Sequence, residues 1–409
     1  TSSLPTGIAR VGYGIKEVED ICGGRAFSDE AAKDVATYES IERLHLRVIS
    51  VEEERFETSY KAISEDAINP EDLMFQKLTP AAGSNLYSPE LKMQWTKCVH
   101  MLDTNQKWVP SQAVWISRKL LSEDTLCIAN TSNGCALGGS LEEAILYGLF
   151  ELIERDNFLL AWYCRRPCRQ IDPHTVKHER FRLLYEKICY FHPNYAVYFL
   201  DTTTDTGIPS VWALAVRKYG SGPKTISSSA ARLDIEKAMF SALTELTGFF
   251  VRKSSFKREA NAYRILVDKP ELVSEINQHS SLYGLDEVFY RLRFLDLTET
   301  NKVSVDEVNR AGLIPQKSTY ALRTILETIA AHLQALGCEF YYKDITLPGF
   351  ESYQLHCARA IITNLYPIYF GYYEKRFAQT KRLENLWEGI YKRPLTSMEE
   401  INFEIHPFG

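Results

Sequence analysis

No apolar run in this 409-residue sequence is long enough to span a bilayer, and its amino-terminal residues lack the basic-then-apolar pattern of a secretory signal. Positive charge is not in excess: the formal charge is −6, which argues against nucleic acid or an anionic membrane surface as the main partner. The nine cysteines are scattered and odd in number, and the nearest pair, Cys164 and Cys168, has no second pair at zinc-ribbon spacing. That usage fits a reducing, cytoplasmic setting better than a disulfide framework or a zinc site. Low-complexity linkers are missing as well, so one continuous domain over residues 1–409 is expected. With 45% hydrophobic residues the chain can bury a large core. The first residue is Thr1, and a trimmed native start is expected.

What is present centres on Asn133 to Asp156, NGCALGGSLEEAILYGLFELIERD. A loop with Gly134, Gly138 and Gly139 gives way to a helix signalled by Ser140 and Glu143, the spacing of a capping box. Leu141, Ile145, Leu149, Leu152 and Ile153 make an apolar face, and Glu151 and Glu154 are spaced for their carboxylates to converge. The pattern occurs earlier as GGRAFSDEAAKDVATYESIER, with Ser28 as cap and Glu39, Glu42 and Arg43 as its end. Both copies finish Glu-x-x-Glu-Arg. A weaker third copy, SSSAARLDIEKAMFSALTEL, carries Glu236 and Glu245.

Either motif alone reads as an i,i+4 ion pair on a solvated helix. Two such helices face to face would instead gather four carboxylates, and that charge needs a cation. A di-metal carboxylate bundle would want Glu-x-x-His on two helices, where arginine stands here. Mg²⁺ held by carboxylates and nucleotide phosphates fits better, with Arg43 and Arg155 on phosphate oxygens and the glycines allowing close backbone approach.

The stretch SNGCALGGSLEEAILYGLFELIERDNFLLAWY resembles the signature of the YcaO superfamily, most closely its members that form azolines in ribosomally made peptides. GGRAFS with Glu39, Glu42 and Arg43 is similar to that family's first motif, the Ser227 stretch to its third, and the terminal HPFG to its proline-rich end. The resemblance implies ATP- and Mg²⁺-dependent activation of a peptide amide, cyclodehydrating Cys, Ser or Thr to thiazoline or oxazoline; a sister reaction makes thioamides or amidines. It implies Glu39, Glu42, Glu151 and Glu154 as Mg²⁺ ligands, and Glu39, Arg43, Glu143, Glu154, Arg155, Glu245 and Arg359 around ATP. It further implies a tail that enters the site, marking His406 as a proton shuttle near neutral pH and Gly409 as its catalytic end.

The departures from that pattern are Val35 for Ser, Gly139 for Asn, Gly248 for Gln, Thr363-Asn364 for Pro-Gly, and Gly409 for Pro. Val35, Gly139 and Gly248 motivate a further reading, an inactive scaffold subunit. No leader-binding segment is evident before the first motif. The resemblance therefore implies an E1-like or ThiF-like partner that captures the precursor peptide, with room for a flavin dehydrogenase and for a homodimer.

Elsewhere, LRVIS is expected to begin an extended run and residues 52–90 to form surface loop with short helical pieces. MQWTKCVHMLD and KWVPSQAVWIS read as a hairpin, AVYFLD and VWALAVR as strands, FRLLYEKICYF and TYALRTILETIAAHLQALG as helices, and CEFYYKDIT as a strand. Sheets backed by the motif helices make the fold class α/β or mixed α+β. His174 and His178 read as a solvated pair, Cys135 as a small loop or core residue. Residues 249–318 show helical stretches only near Pro270–Gln278 and Leu285–Leu292. Pro407 predicts an extended tail over 396–409, with a frayed end as the alternative.

Overall fold

Ser28 and Ser140 start their helices as the sequence predicts. Each sits in extended backbone and accepts a first-turn amide through its hydroxyl, Ala31 N at 3.2 Å and Glu143 N at 3.2 Å. The reciprocal half of the expected capping box is displaced by one residue: Glu143 Oε2 accepts from the Gly139 amide (2.7 Å), not from that of Ser140. The computed structural model that shows this describes residues 6–12, 19–50, 52–74, 76–78, 87–116, 127–128, 131–251, 253–298, 301–315 and 320–408.

In chain order, a hairpin of β1 (Thr6–Gly12) and β2 (Glu19–Arg25) leads into α1 (Asp29–Arg47). Then come β3 (Arg55–Ser59), β4 (Lys92–His100), β5 (Gln106–Pro110), β6 (Cys135–Gly138) and the long α2 (Leu141–Tyr163). Next are β7 (Gln170–Ile171), α3 (Glu179–Phe191), β8 (Tyr195–Asp201), β9 (Ser210–Arg217), β10 (Thr225–Ala231) and α4 (Ile235–Val251). The chain closes with α5 (Lys253–Asp268), α6 (Ile276–Leu282), α7 (Leu322–Ala335), β11 (Phe340–Asp344), β12 (His356–Ile362) and α8 (Lys381–Tyr391).

The strands form two main antiparallel sheets. In one, β4 pairs with β3, β5 and β11, and β12 joins β11 to β6. In the other, β10, β9, β8 and β7 lie in that order, with Lys302–Val303 added parallel at the end. Helix α2 runs between them, touching β6 and β12 on one side and β9 and β10 on the other. Ile145, Leu149 and Ile153 pack with α7 and the first sheet, while Phe158 to Tyr163 sit in a second cluster with Trp212 and the tail. A helix apolar nearly all round is what such a position demands. It ends where Arg165 turns left-handed (φ 43°) and the Arg166 amide reaches back to Ala161 O, ahead of Pro167. The fold class is mixed α/β, as expected.

Several local expectations shift. LRVIS turns extended later than expected: Leu46 and Arg47 complete α1, extended backbone begins at Val48, and the next strand starts at Arg55. The illegible stretch after residue 249 contains α5, whose polar sequence hides one apolar stripe. His178 is a helix cap, its Nδ1 accepting from the Phe181 amide (3.2 Å), and His174 lies in a separate 3-10 turn, so the two share no helix face. The tail does not fray. After a 3-10 turn at Met398–Glu400, its Ile401, Asn402, Ile405, His406 and Phe408 are all buried; Gly409 lies outside the described residues.

Candidate functional site

Glycines bring each motif loop onto its helix. A Cβ on Gly24 would lie 2.1 Å from Ala32 O, so β2 can lie on the small-residue stripe Ala32–Ala36–Ser40 of α1 only as glycine. In the second copy a Cβ on Gly148 would lie 2.4 Å from Gly134 O, and Gly134 itself has φ +85°. That closeness aims the loop amides. Gly23 N–H donates to Glu39 (2.9 Å) and Gly134 N–H donates to Glu151 (2.7 Å), so the first glutamate of each repeat is held by a loop glycine.

The arginine ending each repeat folds back between its two glutamates. Arg43 lies 3.4 Å from Glu39 and 3.3 Å from Glu42; Arg155 lies 3.6 Å from Glu151 and 3.3 Å from Glu154. The carboxylates of one helix therefore do not converge on one point as their spacing predicted. Among the described residues no three acidic, histidine or cysteine side chains gather closely enough to hold a metal ion unaided.

The two repeats nevertheless act on one another. Burial pushes the Glu42 carboxyl up to about 8; Arg43 opposes the rise, Glu151 and Glu39 add to it, and Arg359 opposes it. Burial likewise raises Glu154 to about 8, against Arg155 and with help from Glu245 and Glu151. Glu245 is raised by burial and Glu151, with Arg155, Arg25 and Arg232 opposing. Arg359, buried on β12, is pulled down by desolvation despite the Glu151 and Glu42 charges, and its Nε is fixed on the Ala113 carbonyl (2.9 Å). Glu39, Glu42, Arg43, Glu151, Glu154, Arg155, Glu245 and Arg359 thus share one cleft built from α1, α2, α4 and β12.

Glu143 stands apart at the start of α2, bonded to the Gly139 amide and to the Tyr147 hydroxyl (3.2 Å). Glu236 accepts from the Lys177 and His178 amides, away from Glu245's group. His406 is fully buried, and desolvation with the neighbouring His279 holds its imidazole well below the usual range. It is therefore neutral at pH 7, which is not the poise of the expected shuttle. The tail touches the cleft through Phe408, whose ring lies 4.0 Å from the Arg155 guanidinium.

Two arginines were missed by sequence reasoning. Arg25 lies in the first glycine motif, and its guanidinium covers Gly248: a Cβ there would be 2.0 Å from Nε, so the residue that departs from the family pattern makes room for it. Arg232, after the serine-rich strand, sits over the Phe150 ring and counters Glu154 and Glu245. Cations adjoining a glutamate motif were the available signal.

The donor set fits a polyanion with a hard cation. Arg155 Nε and Arg359 Nη1 are covered and make no hydrogen bond to any described residue, while burial raises Glu42 and Glu154 by more than the neighbouring arginines lower them. Both arginines also line a cavity that bears Asn133 and Thr131 and is otherwise mainly apolar.

Residues 23–366 match the family model described as YcaO cyclodehydratase, ATP- and Mg²⁺-binding. The chain belongs to the YcaO family. An uncharacterised protein of Methanothermobacter thermautotrophicus is 26% identical over 331 residues, 72% of this chain and 81% of that one. A heterocyclase solved in complex with substrate and cofactor superposes with a TM-score of 0.74 at 22% identity, over 95% of this chain and 50% of that one. YcaO from Methanopyrus kandleri, bound with AMPPCP and Mg²⁺, superposes at 0.58 and 18%, over 88% and 82%. This YcaO chain spans half the length of that heterocyclase. As its family description states, its cofactors are ATP and Mg²⁺. Among the described residues no helix is long and apolar enough to cross a membrane.

Proposed function

We propose that this YcaO protein activates a backbone amide of a ribosomally made precursor peptide and cyclodehydrates Cys, Ser or Thr to thiazoline or oxazoline. The observation that carries the reading is the shared cleft, in which two arginines with unbonded N–H groups stand beside buried carboxyls raised to about 8. Bound ATP, with Mg²⁺, would supply the phosphoryl group that turns the amide oxygen into a leaving group. Arg155 and Arg359 would orient phosphate oxygens, and Arg43 would do so from the first repeat. Glu39, Glu42, Glu151 and Glu154 would hold the metal together with the phosphates, all of them the hard oxygen donors that Mg²⁺ prefers. Glu245 would complete the pocket, and Glu143 would set the loop that borders it. The buried tail segment up to Phe408 would exclude water from the reacting amide.

The nucleophile comes from the substrate, so no thiol of the chain is needed; Cys135 is buried 3.8 Å from Cys357, whose own thiol is raised well above its ordinary value by that contact and by burial. An E1-like or ThiF-like partner would present the peptide, and a flavin dehydrogenase would oxidise azolines to azoles. All nine cysteines are free thiols, which supports a cytoplasmic site of action.

The test is product mass with the reconstituted peptide and partner. Cyclodehydration removes about 18 Da per site, whereas oxygen-to-sulfur exchange adds about 16. Glu154→Gln should abolish modification while leaving the far-ultraviolet spectrum unchanged. Full modification by that variant would point to a scaffold and overturn the assignment.

A further inference from the structure

Residues 249–318 contribute nothing to the repeated motifs, yet several of their side chains, His279, Tyr283 and Arg291, reach the tail. His279, on α6, is completely buried. The Gly371 amide donates to its Nε2 (2.9 Å), so that nitrogen carries no proton, and Nδ1–H donates to the carbonyl of His406 (3.1 Å). His406 in turn donates from Nε2 to the Tyr369 carbonyl (2.9 Å), and the two imidazoles lie 4.4 Å apart. Two crossed histidines thus tie the tail to the Tyr369–Gly371 loop. Upstream, Tyr283 Oη donates to Ile405 O (2.5 Å) and Trp162 Nε1 to Glu404 O (3.1 Å), so side chains hold three successive tail carbonyls. Two residues past His406, the Phe408 ring packs on Phe158 (5.2 Å) and against the Arg155 guanidinium (4.0 Å).

We propose that His279 is a positioning residue for the nucleotide site: it latches the tail so that Phe408 holds the Arg155 guanidinium between Glu151 and Glu154. The inference rests on reading the cleft as that site. Neutral histidine offers a donor and an acceptor on opposite edges of one rigid ring: the Nδ1–H donor holds the tail, and the Nε2 acceptor seats the ring on the Gly371 amide. Asparagine can reproduce the Nδ1–H donor and glutamine the Nε2 acceptor, which allows the two halves to be separated.

Hydrogen exchange read by mass spectrometry on the full chain, with calorimetric titration of Mg-ATP, tests it. For His279→Gln, amides of residues 402–408 should exchange at least about tenfold faster, with α2 still protected and Mg-ATP binding weakened about tenfold. His279→Asn should keep both near the native values. The proposal is overturned if His279→Gln leaves the tail protected, if it frees the tail without weakening Mg-ATP, or if both variants lose α2 protection alike. A native chain that binds no Mg-ATP would refute the nucleotide reading instead, and tail exchange would still report on the latch.

Discussion

Binding of Mg-ATP should expel protons from the cleft. Glu42 and Glu154 are each raised to about 8, burial being the main cause for both. At pH 7 such a group is protonated at roughly ten to one, so a cation that requires both ionised would release nearly two protons. A cation that needs only one of the two ionised would release about one, so the expected release is between about one and two protons. Titrating Mg-ATP in buffers of different ionisation enthalpy gives this number as the slope of observed enthalpy. The slope should vanish near pH 9.5, where both carboxyls are already ionised. A zero slope at pH 7, or an equal slope at both pH values, would refute the assignment of these two groups to the metal. The same shifts set the stability of the ligand-free chain. A carboxyl raised on folding binds more protons in the native state, so its contribution is complete below the unfolded value near 4.5 and is lost as pH rises through about 8. The melting temperature without ligand should therefore fall across that window, and Mg-ATP should flatten the fall.

Other substitutions separate architecture from ligand binding. Gly148→Ala places a methyl 2.4 Å from Gly134 O, so a stability loss of about 1–3 kcal/mol in urea unfolding should accompany weaker Mg-ATP binding as the Gly134 amide leaves Glu151. Asp156→Ala strips the buried partner of Arg382, which bonds Asp156 through Nη1 (3.0 Å) and Nη2 (2.7 Å); a loss of about 3–5 kcal/mol in the same assay is expected, with no direct effect on the cleft. Arg359→Lys keeps the charge but gives up the bond to Ala113 O and the fork geometry, so Mg-ATP affinity should fall about tenfold while the melting temperature barely moves.

The motif helices were legible because their signals are local. A hydroxyl before an apolar period, with Glu-x-x-Glu-Arg a fixed distance on, defines cap, face and charge within one helix, and Ser28 and Ser140 cap in matching register. The nearness of Glu39, Glu42, Arg43, Glu151, Glu154 and Arg155 followed from the repetition, whereas Arg359 was placed beside them only by the family resemblance. What spacing did not reveal was the competition within each repeat, where arginine separates carboxylates that i,i+3 geometry brings near. Arg25 and Arg232 escaped because their role depends on glycine and aromatic contacts made across the fold. The α5 helix and the His279 tie were likewise invisible: α5 buries a narrow stripe, and a histidine that meets residue 406 and residue 371 leaves no periodic trace.

The two copies of the motif are mounted unequally. Helix α2 is wedged between both sheets, whereas α1 rests mainly on the β1–β2 hairpin and exposes Val35 and Tyr38. One works as a fixed jaw and the other as the adjustable jaw of a vice. Substitutions across the outer side of α1 should accumulate freely in related chains, while most positions of α2 are held in one core or the other. Any tightening around a ligand must then be made by the amino-terminal hairpin and its helix closing on a seat that does not give.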